Sequence, residues 1–276
     1  MPPPLLARLL RRRTTTRIAV RTEGHRAGGR AFTVWLPPGY DPAARRGRPV
    51  LVAHDGQEMD AWRLRAALED FAAVGGEAPV VVALPAGDAR LADYGTAGTL
   101  NAQGHGARAA EFQKWVVHAV LPHVCERCHV RAGPEHTVVM GASLGGLSAF
   151  DLAWRHPGVF GTAGIFSGSL WWRTDDSSPA AQSASRILHA RVRAAKTKPR
   201  GLRLWFQAGT CDETSDRDGD GVIDAIQDTT ELIHALAARG FARGREVVYR
   251  ETPGGEHGPA TWAAELPGFL RWAFPP

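Results

Sequence analysis

A serine stands between glycines in residues 141–145, which read G-A-S-L-G. The apolar run 138–140 precedes this segment, and a helical pattern follows it. A serine nucleophile must project from a sharp strand-to-helix turn, and flanking glycines leave room for the strand and the helix to cross closely. The pattern predicts Ser143 as a nucleophile, with the backbone N–H of Leu144 facing a developing oxyanion. The alternative is a tight turn with a structural role only.

A serine hydroxyl becomes an effective nucleophile only when a base removes its proton. His257 lies in the segment G-G-E-H-G after the last predicted strand, where flanking glycines allow the loop to approach the serine. We therefore predict His257 as the base. His234 falls within a predicted helix and is expected to be a packed or surface residue. Three other histidines are candidates by residue type alone: His54, His105 and His156.

The residue that orients the base should follow a strand between the nucleophile and the histidine. Asp212, in G-T-C-D-E after the predicted strand 202–208, has that position, and Glu213 is its nearest rival. Alternatively, the carboxylates of Asp212 and Glu213 both face solvent. A second oxyanion donor is expected after the early buried strand, where the loop H-D-G-Q ends at Gln57; an ordinary strand-ending turn is the alternative there.

Six segments occur in an order that resembles the putative-esterase family of α/β-hydrolases, which includes esterase D, enterochelin esterases, feruloyl esterases and mycolyltransferases. The resemblance covers roughly residues 30–273 and rests on V-A-H-D-G-Q-E, R-L-A-D-Y-G, G-A-S-L-G-G-L, F-S-G-S-L-W-W, G-T-C-D-E and G-G-E-H. It implies a triad of Ser143, Asp212 and His257, with Gln57 and Leu144 as oxyanion donors. It also implies that Trp171 and Trp172 form walls of the substrate cleft, and we expect Asp55 and Tyr94 to belong to the same cleft.

An acidic segment follows the predicted acid. Residues 216–224 read D-R-D-G-D-G-V-I-D, which matches the first nine positions of an EF-hand type of loop, although Gln227 stands where the usual glutamate would be. The pattern predicts a structural Ca²⁺ site that stiffens the acid loop, with the ligands Asp216, Asp218, Asp220, Val222 (through its carbonyl), Asp224 and Asp228. The alternative is a solvated loop in which Asp224 caps the next helix. No cofactor is expected to be required for the chemistry.

The three cysteines are an odd number, so they predict no disulfide framework. Cys125, Cys128 and His129 lie in C-E-R-C-H, the attachment pattern of c-type haem. A local disulfide or a zinc contact would also fit this spacing. Because the segment ends a predicted helix and the chain has no other haem signal, a turn without a ligand is the favoured interpretation.

The elements that must position these residues alternate along the chain. Short apolar runs, typical of strands buried on both faces, alternate with amphipathic segments of helical period. Helices are expected at about 59–74, 108–121, 183–195, 225–239 and 260–273, and the last strand at 246–250. This order predicts the α/β-hydrolase fold: a mostly parallel central sheet covered by helices on both faces. We expect one domain, 31–276, after a basic extension, 1–30, that is partly flexible or forms an edge strand.

The overall charge is +5, and arginines are concentrated in the N-terminal residues. No aromatic residues alternate with these arginines, so a solvated terminus is favoured over nucleic-acid binding. The arginines follow the apolar patch 5–10 instead of preceding it, which is the wrong order for a secretory signal, so we expect a cytoplasmic protein without a membrane span. The alternative is a secreted or periplasmic protein.

The expected function is hydrolysis of a small or medium carboxylic ester through an acyl-enzyme, with a small-molecule ester as the partner. Two alternatives remain open: an acyltransferase that uses the same triad with an alcohol or sugar acceptor, and a binding scaffold without catalysis. The sequence gives no oligomeric state.

Overall fold

The computed structural model describes residues 19–275. Its centre is an eight-stranded sheet in the order β1-β2-β4-β3-β5-β6-β7-β8. Strands β1 and β2 are antiparallel to their neighbours, and the other neighbouring pairs are parallel. The strands are β1 Arg21–Ala27, β2 Arg30–Leu36, β3 Val50–His54, β4 Val80–Leu84, β5 Thr137–Ala142, β6 Thr162–Phe166, β7 Arg203–Cys211 and β8 Val247–Glu256.

The central strands are continuous apolar runs because helices cover both faces of the sheet. One face packs on a core that includes Leu68 and Phe269, which belong to α1 and α9. The other core includes residues of α3, α4, α5, α7 and α8. The helices are α1 Leu64–Ala73, α2 Arg90–Asp93, α3 Ala109–Trp115, α4 Leu121–Arg127, α5 Leu144–Arg155, α6 Pro179–Ala184, α7 Ile187–Ala194, α8 Asp224–Ala238 and α9 Pro259–Ala273.

The predicted fold class is confirmed: the chain forms a mostly parallel sheet between two layers of helices. Within the predicted extension 1–30, residues 1–18 lie outside the described residues, and β1 occupies the edge of the sheet beside β2. No helix in residues 19–275 has the length and apolar character that a membrane crossing needs.

Several element boundaries differ from the predicted ones. The segment predicted as one helix at 108–121 contains a wide turn at Val116–Val120, where Leu121 N–H donates to the carbonyl of Val116. Pro122 follows and lacks the N–H that a regular helix would bond to the carbonyl four residues earlier. The basic helix predicted at 183–195 is divided into α6 and α7 by the extended residue Arg186. Strand β8 continues to Glu256, well past the predicted end.

Candidate active site

The turn from β5 to α5 holds Ser143 in an unusual conformation. Its φ is 54° and its ψ is −126°, a region that residues with a side chain rarely adopt. The strand and the helix cross closely here, because a Cβ on Gly141 would lie 2.5 Å from the carbonyl carbon of Gly145. A Cβ on Gly145 would lie 2.8 Å from Asp55 Oδ2. Only glycine fits on either side, as the sequence pattern predicts.

The side chain of Ser143 is partly accessible from two pockets. Its Oγ lies 3.4 Å from Ser169 Oγ, and its carbonyl oxygen accepts a hydrogen bond from the N–H of Ser169 at 3.0 Å. One pocket, of 360 Å³, is lined by Ser169, Leu144, Trp171 and Trp172. The other, of 350 Å³, is lined by Asp55, Gln57, Trp62 and Trp262. Ser143 and Arg90 line both pockets, so the serine lies where they meet.

The predicted acid and base lie together at the ends of the last two strands. Asp212 Oδ1 is 3.5 Å from His257 Nδ1. The Asp212 side chain is 1% exposed, whereas that of His257 is 42% exposed. His257 therefore has a buried carboxylate on one side and solvent on the other. Within residues 19–275, the only hydrogen-bond partner of Ser143 Oγ is Ser169, so the serine and His257 are not directly bonded.

Two further side chains hold the Asp212–His257 pair. The Ser167 hydroxyl donates to Asp212 Oδ1 at 2.9 Å and accepts a hydrogen bond from Trp262 Nε1 at 2.9 Å. The Trp262 ring also meets the His257 ring edge to face, with 5.4 Å between ring centres. Because Trp262 lines the same pocket as Ser143, it connects the acid–base pair to the serine.

The loop after β3 contains Gln57, the predicted second oxyanion donor. A Cβ on Gly56 would lie 2.5 Å from the carbonyl carbon of Ala83, so the loop lies tightly against β4. The Gln57 side chain accepts a hydrogen bond from Ala86 N–H at 2.9 Å. Within the described part of the chain, the backbone N–H groups of Gln57 and Leu144 have no acceptor. Both donors thus remain available to a ligand.

Asp55 fixes this loop through hydrogen bonds to Tyr94 and Arg90. It adopts a positive φ of 52°, and its N–H donates to Tyr94 Oη at 2.8 Å. Its two carboxylate oxygens accept hydrogen bonds from Arg90 Nε and Nη2, each at 2.8 Å. Tyr94 is fully buried, and burial raises the pKa of its hydroxyl. Of the four predicted cleft residues, Asp55, Trp171 and Trp172 line the pockets. Tyr94 does not line them: it is buried beneath the cleft and bonds to Asp55.

The remaining candidates occupy other environments. His54 is buried and bonds to the Gly145 carbonyl at 2.9 Å, and burial lowers the pKa of its imidazole. His105 lines the 360 Å³ pocket, whereas His234 is exposed on α8. Burial raises the pKa of Glu213, and within residues 19–275 it forms no ion pair with His257. The sequence did not single out Arg90, Ser167, Ser169 or Trp262, although F-S-G-S contains two of them.

The acidic loop brings together three of its predicted ligands. The carboxylates of Asp216, Asp218 and Asp220 offer oxygens that all lie within 4.8 Å of one another. Asp224 instead accepts a hydrogen bond from Arg217 N–H at 3.1 Å, and Asp228 is buried in ion pairs with Arg217 and Arg186. These two acids therefore belong to an inner charge network, and Val222 is exposed.

The segment C-E-R-C-H lies at the end of α4. Cys125 is exposed and Cys128 is buried, and both are free thiols. Burial raises the pKa of Cys128 to about 11. His129 donates its N–H to Tyr40 Oη at 2.7 Å. Within residues 19–275, the only cluster of three side chains spaced to hold a metal is the aspartate cluster.

Solved structures with a similar fold include esterases of several kinds. The chain is similar to an enterobactin esterase from Shigella flexneri, with a TM-score of 0.68 and 22% identity over 92% of this chain and 58% of that one. It thus spans little more than half the length of that protein. It is also similar to a ferulic acid esterase, with a TM-score of 0.67 and 17% identity over 92% of this chain and 97% of that one. A siderophore hydrolase, EstB from Aspergillus nidulans, gives a TM-score of 0.64 and 19% identity over 92% and 94% of the two chains.

Sequence comparison identifies a relative of this chain and the family to which the chain belongs. The uncharacterized protein YbbA of Bacillus subtilis (strain 168) is 23% identical over 255 residues, which cover 91% of this chain and 94% of that protein. The family model described as Putative esterase matches residues 27–273 and so includes the whole sheet except the first strand. With a match of that extent, the chain belongs to the family described as Putative esterase.

Proposed function

We propose that the protein is a serine hydrolase that cleaves small-molecule carboxylic esters through an acyl-enzyme. One observation carries the proposal: Ser143 is held at a positive φ where two pockets meet, and the buried Asp212 and the exposed His257 lie together at the ends of the last two strands. Backbone strain of this kind costs on the order of 1–3 kcal/mol and persists where the surrounding structure enforces it. A serine exposed in this way suits attack on a carbonyl carbon.

The chemistry follows from the roles of three side chains. His257 takes the proton of the Ser143 hydroxyl as Oγ attacks the ester carbonyl, and the same proton then passes to the leaving alcohol. In the second step His257 removes a proton from water as the water attacks the acyl-enzyme, and the same proton then passes to Ser143 Oγ as the acid is released. Asp212 fixes the imidazole with Nδ1 protonated and Nε2 free to act as the base. The unbonded N–H groups of Gln57 and Leu144 stabilise the oxyanion in both steps.

A small movement of His257 completes the arrangement. The Asp212–His257 separation of 3.5 Å is longer than the 2.7–3.2 Å of a good hydrogen bond. The His257 side chain is 42% exposed and lies just past the end of β8, so its ring can shift toward Asp212 and Ser143. Catalytic hydrogen bonds are often long without substrate and shorten when it binds.

The two pockets provide room for the two halves of an ester. Each has a volume of about 350 Å³, which suits a group of small or medium size. The pocket beside Leu144 combines the Trp171 and Trp172 rings with polar side chains such as Asn101 and His105. Arg90, fixed by Asp55, faces both pockets and can donate to a polar substituent on either half.

The test is removal of the nucleophile. Ser143→Ala should reduce the turnover of p-nitrophenyl acetate and butyrate by at least 10³-fold, since loss of a triad member removes most of the catalysis. The same change should abolish labelling by a fluorophosphonate probe. Ser177→Ala, at an exposed serine, is the matched control and should keep full activity. Normal turnover in a folded Ser143→Ala protein would refute the proposal.

The same assay separates hydrolysis from acyl transfer. With glycerol or a simple sugar present as an acceptor, a hydrolase should still release mainly the free acid, because water attacks the acyl-enzyme. Product analysis that finds mainly the acceptor ester at low acceptor concentration would assign the protein to the acyltransferases.

A further inference from the structure

A pocket of 740 Å³ lies at the edge of the sheet formed by β8. Its floor is the first part of that strand, and its walls come from the α8–β8 connection and from the end of α9. None of its lining residues lines the two pockets at Ser143. It is therefore separate from the proposed ester site, and its volume is typical of pockets for small molecules.

Positive charge in this pocket is not compensated. Arg243, Arg250 and Arg271 line it, and no carboxylate does. Within residues 19–275, none of the three guanidinium groups forms an ion pair or donates to an acceptor. The nearest acids along the chain are engaged elsewhere: Glu246 pairs with Lys198 at 2.8 Å, and Glu251 accepts a hydrogen bond from the Tyr249 hydroxyl at 3.1 Å.

Aromatic rings form the other part of the wall. Trp205, Tyr249 and Trp272 line the pocket together with the arginines. The guanidinium carbon of Arg250 lies 5.6 Å from the centre of the Trp205 ring. A cation over an aromatic face is attracted without using its N–H donors, so Arg250 can be held near the wall and still donate to a ligand. Guanidinium groups match phosphate oxygens in a bidentate geometry, and aromatic walls favour planar groups.

We propose that this pocket binds a small aromatic phosphate, in which a planar ring is joined to two or more anionic phosphate oxygens, as in a nucleoside diphosphate. The phosphates contact Arg243, Arg250 and Arg271, and the ring packs against Tyr249 and Trp272, which are more accessible than the buried Trp205. The site acts independently of Ser143, because the pockets share no residue.

The experiment measures binding of ADP, inorganic pyrophosphate and adenosine to the full chain by isothermal titration calorimetry. ADP should bind at about one equivalent per chain and at least tenfold more tightly than pyrophosphate or adenosine, because each of these has only one of the two recognised groups. Binding should weaken as the salt concentration rises, as expected for exposed charges. The double variant R250Q/R271Q should bind ADP at least tenfold more weakly.

Controls separate this pocket from other basic surfaces. Arg45→Gln removes a charge from the exposed β2–β3 loop and should leave ADP affinity unchanged, as should Ser143→Ala. If R250Q/R271Q melts as the wild type does and binds ADP within twofold of it, the anion binds elsewhere, for example on the arginines of residues 1–18, and the proposal is wrong. Adenosine binding as tightly as ADP, or no ADP binding at millimolar concentration, would overturn it equally.

Discussion

Ser167, like Ser143 and Asp55, has a positive φ, 43°, and it lies close to the proposed acid. It is buried, and its hydroxyl both donates to Asp212 and accepts from Trp262. A donor to a buried carboxylate stabilises its charged form and limits its rotation. Because Trp262 also contacts the His257 ring, one hydroxyl and one indole fix the relative position of the acid and the base. We interpret Ser167 as a positioning residue.

Ser167→Gly should therefore lower kcat for p-nitrophenyl esters by about tenfold and leave KM within twofold. The hydroxyl is lost, but glycine accepts a φ of 43° without strain, so the fold should be retained. Steady-state kinetics with a melting curve is the measurement. The split between kcat and KM separates a positioning role from a general loss of structure.

Trp262→Phe tests the hydrogen bond between Trp262 and Ser167 by changing its donor instead of its acceptor. It keeps an aromatic ring against His257 but removes the N–H that donates to Ser167. It should lower kcat in the same way, and the double variant with Ser167→Gly should be little worse than either single change, since both remove one connected contact. Additive losses, or a change in KM alone, would exclude the positioning role.

Among the individual residues of the site, those marked by their immediate neighbours in the chain could be predicted from the sequence. Glycines around Ser143 and His257, and the place of Asp212 after a strand, are visible in short windows, and the structure brings Asp212 and His257 together. Ser167 and Trp262 could not be found in this way, because their contact joins residues 95 positions apart. Arg90 could not be predicted for the same reason, because its role depends on its contact with Asp55, 35 positions earlier.

The elements were predicted most reliably where the chain is apolar. Strands β3 to β6 are continuous buried runs, and the apolar segments 49–53, 79–84, 138–140 and 162–166 predict each of them. The wide turn at Val116–Val120 and the break at Arg186 interrupt otherwise helical patterns, and periodicity alone does not reveal them. Arg186 leaves the helical conformation where its side chain pairs with Asp228 and Glu231 on α8, so tertiary contacts override local preference.

The loop between β7 and α8 brings together three of the carboxylates that the sequence predicts as cation ligands, Asp216, Asp218 and Asp220. Asp216 accepts hydrogen bonds from the N–H groups of Gly219 and Gly221 at 2.8 and 2.9 Å, which folds the loop around its carboxylate. Gln227 contacts Asp218 at 2.6 Å and so closes the loop with an amide in place of a second acid. Carboxylate oxygens of this kind suit Ca²⁺, and its binding to this loop stays a prediction.

Ca²⁺ should raise the melting temperature relative to a sample in EDTA. A ligand that binds only the folded state at a hundredfold excess over its Kd adds about 2.7 kcal/mol, or roughly 5 °C or more in a chain of this size. Differential scanning calorimetry gives the shift. Asp218→Asn should abolish it, whereas Asp88→Asn, at an exposed aspartate elsewhere, should not. Identical melting temperatures with Ca²⁺ and with EDTA would leave this segment as an ordinary solvated loop.

At the scale of the whole molecule, stability depends on charges buried between α7 and α8. Arg186 and Arg217 both pair with Asp228, whose side chain is 1% exposed. His189 lies beside this network and is fully buried, and its Nε2–H donates to the Asp228 carbonyl at 2.8 Å. Burial, followed by repulsion from Arg186, lowers the pKa of His189 to about 3. The native protein therefore holds this imidazole in its neutral form.

This predicts a stability that decreases as the pH falls. In the unfolded chain a histidine has a pKa near 6.5, so the unfolded state is protonated at this position below that pH. In the folded state the imidazole of His189 stays neutral until the pH falls to about 3. The contribution is complete above pH 6.5 and is lost at roughly 1.4 kcal/mol per pH unit below it.

The variant His189→Gln tests this, because the glutamine side chain keeps a hydrogen-bond donor but has no group that takes up a proton in this pH range. Urea unfolding at pH 7.5 and pH 5 should show a fall in the free energy of unfolding that is about 2 kcal/mol larger in the wild type than in the variant. His234→Gln, on the exposed side of α8, is the control and should follow the wild type. If His189→Gln and the wild type lose stability in parallel, the buried imidazole is not what couples this fold to pH.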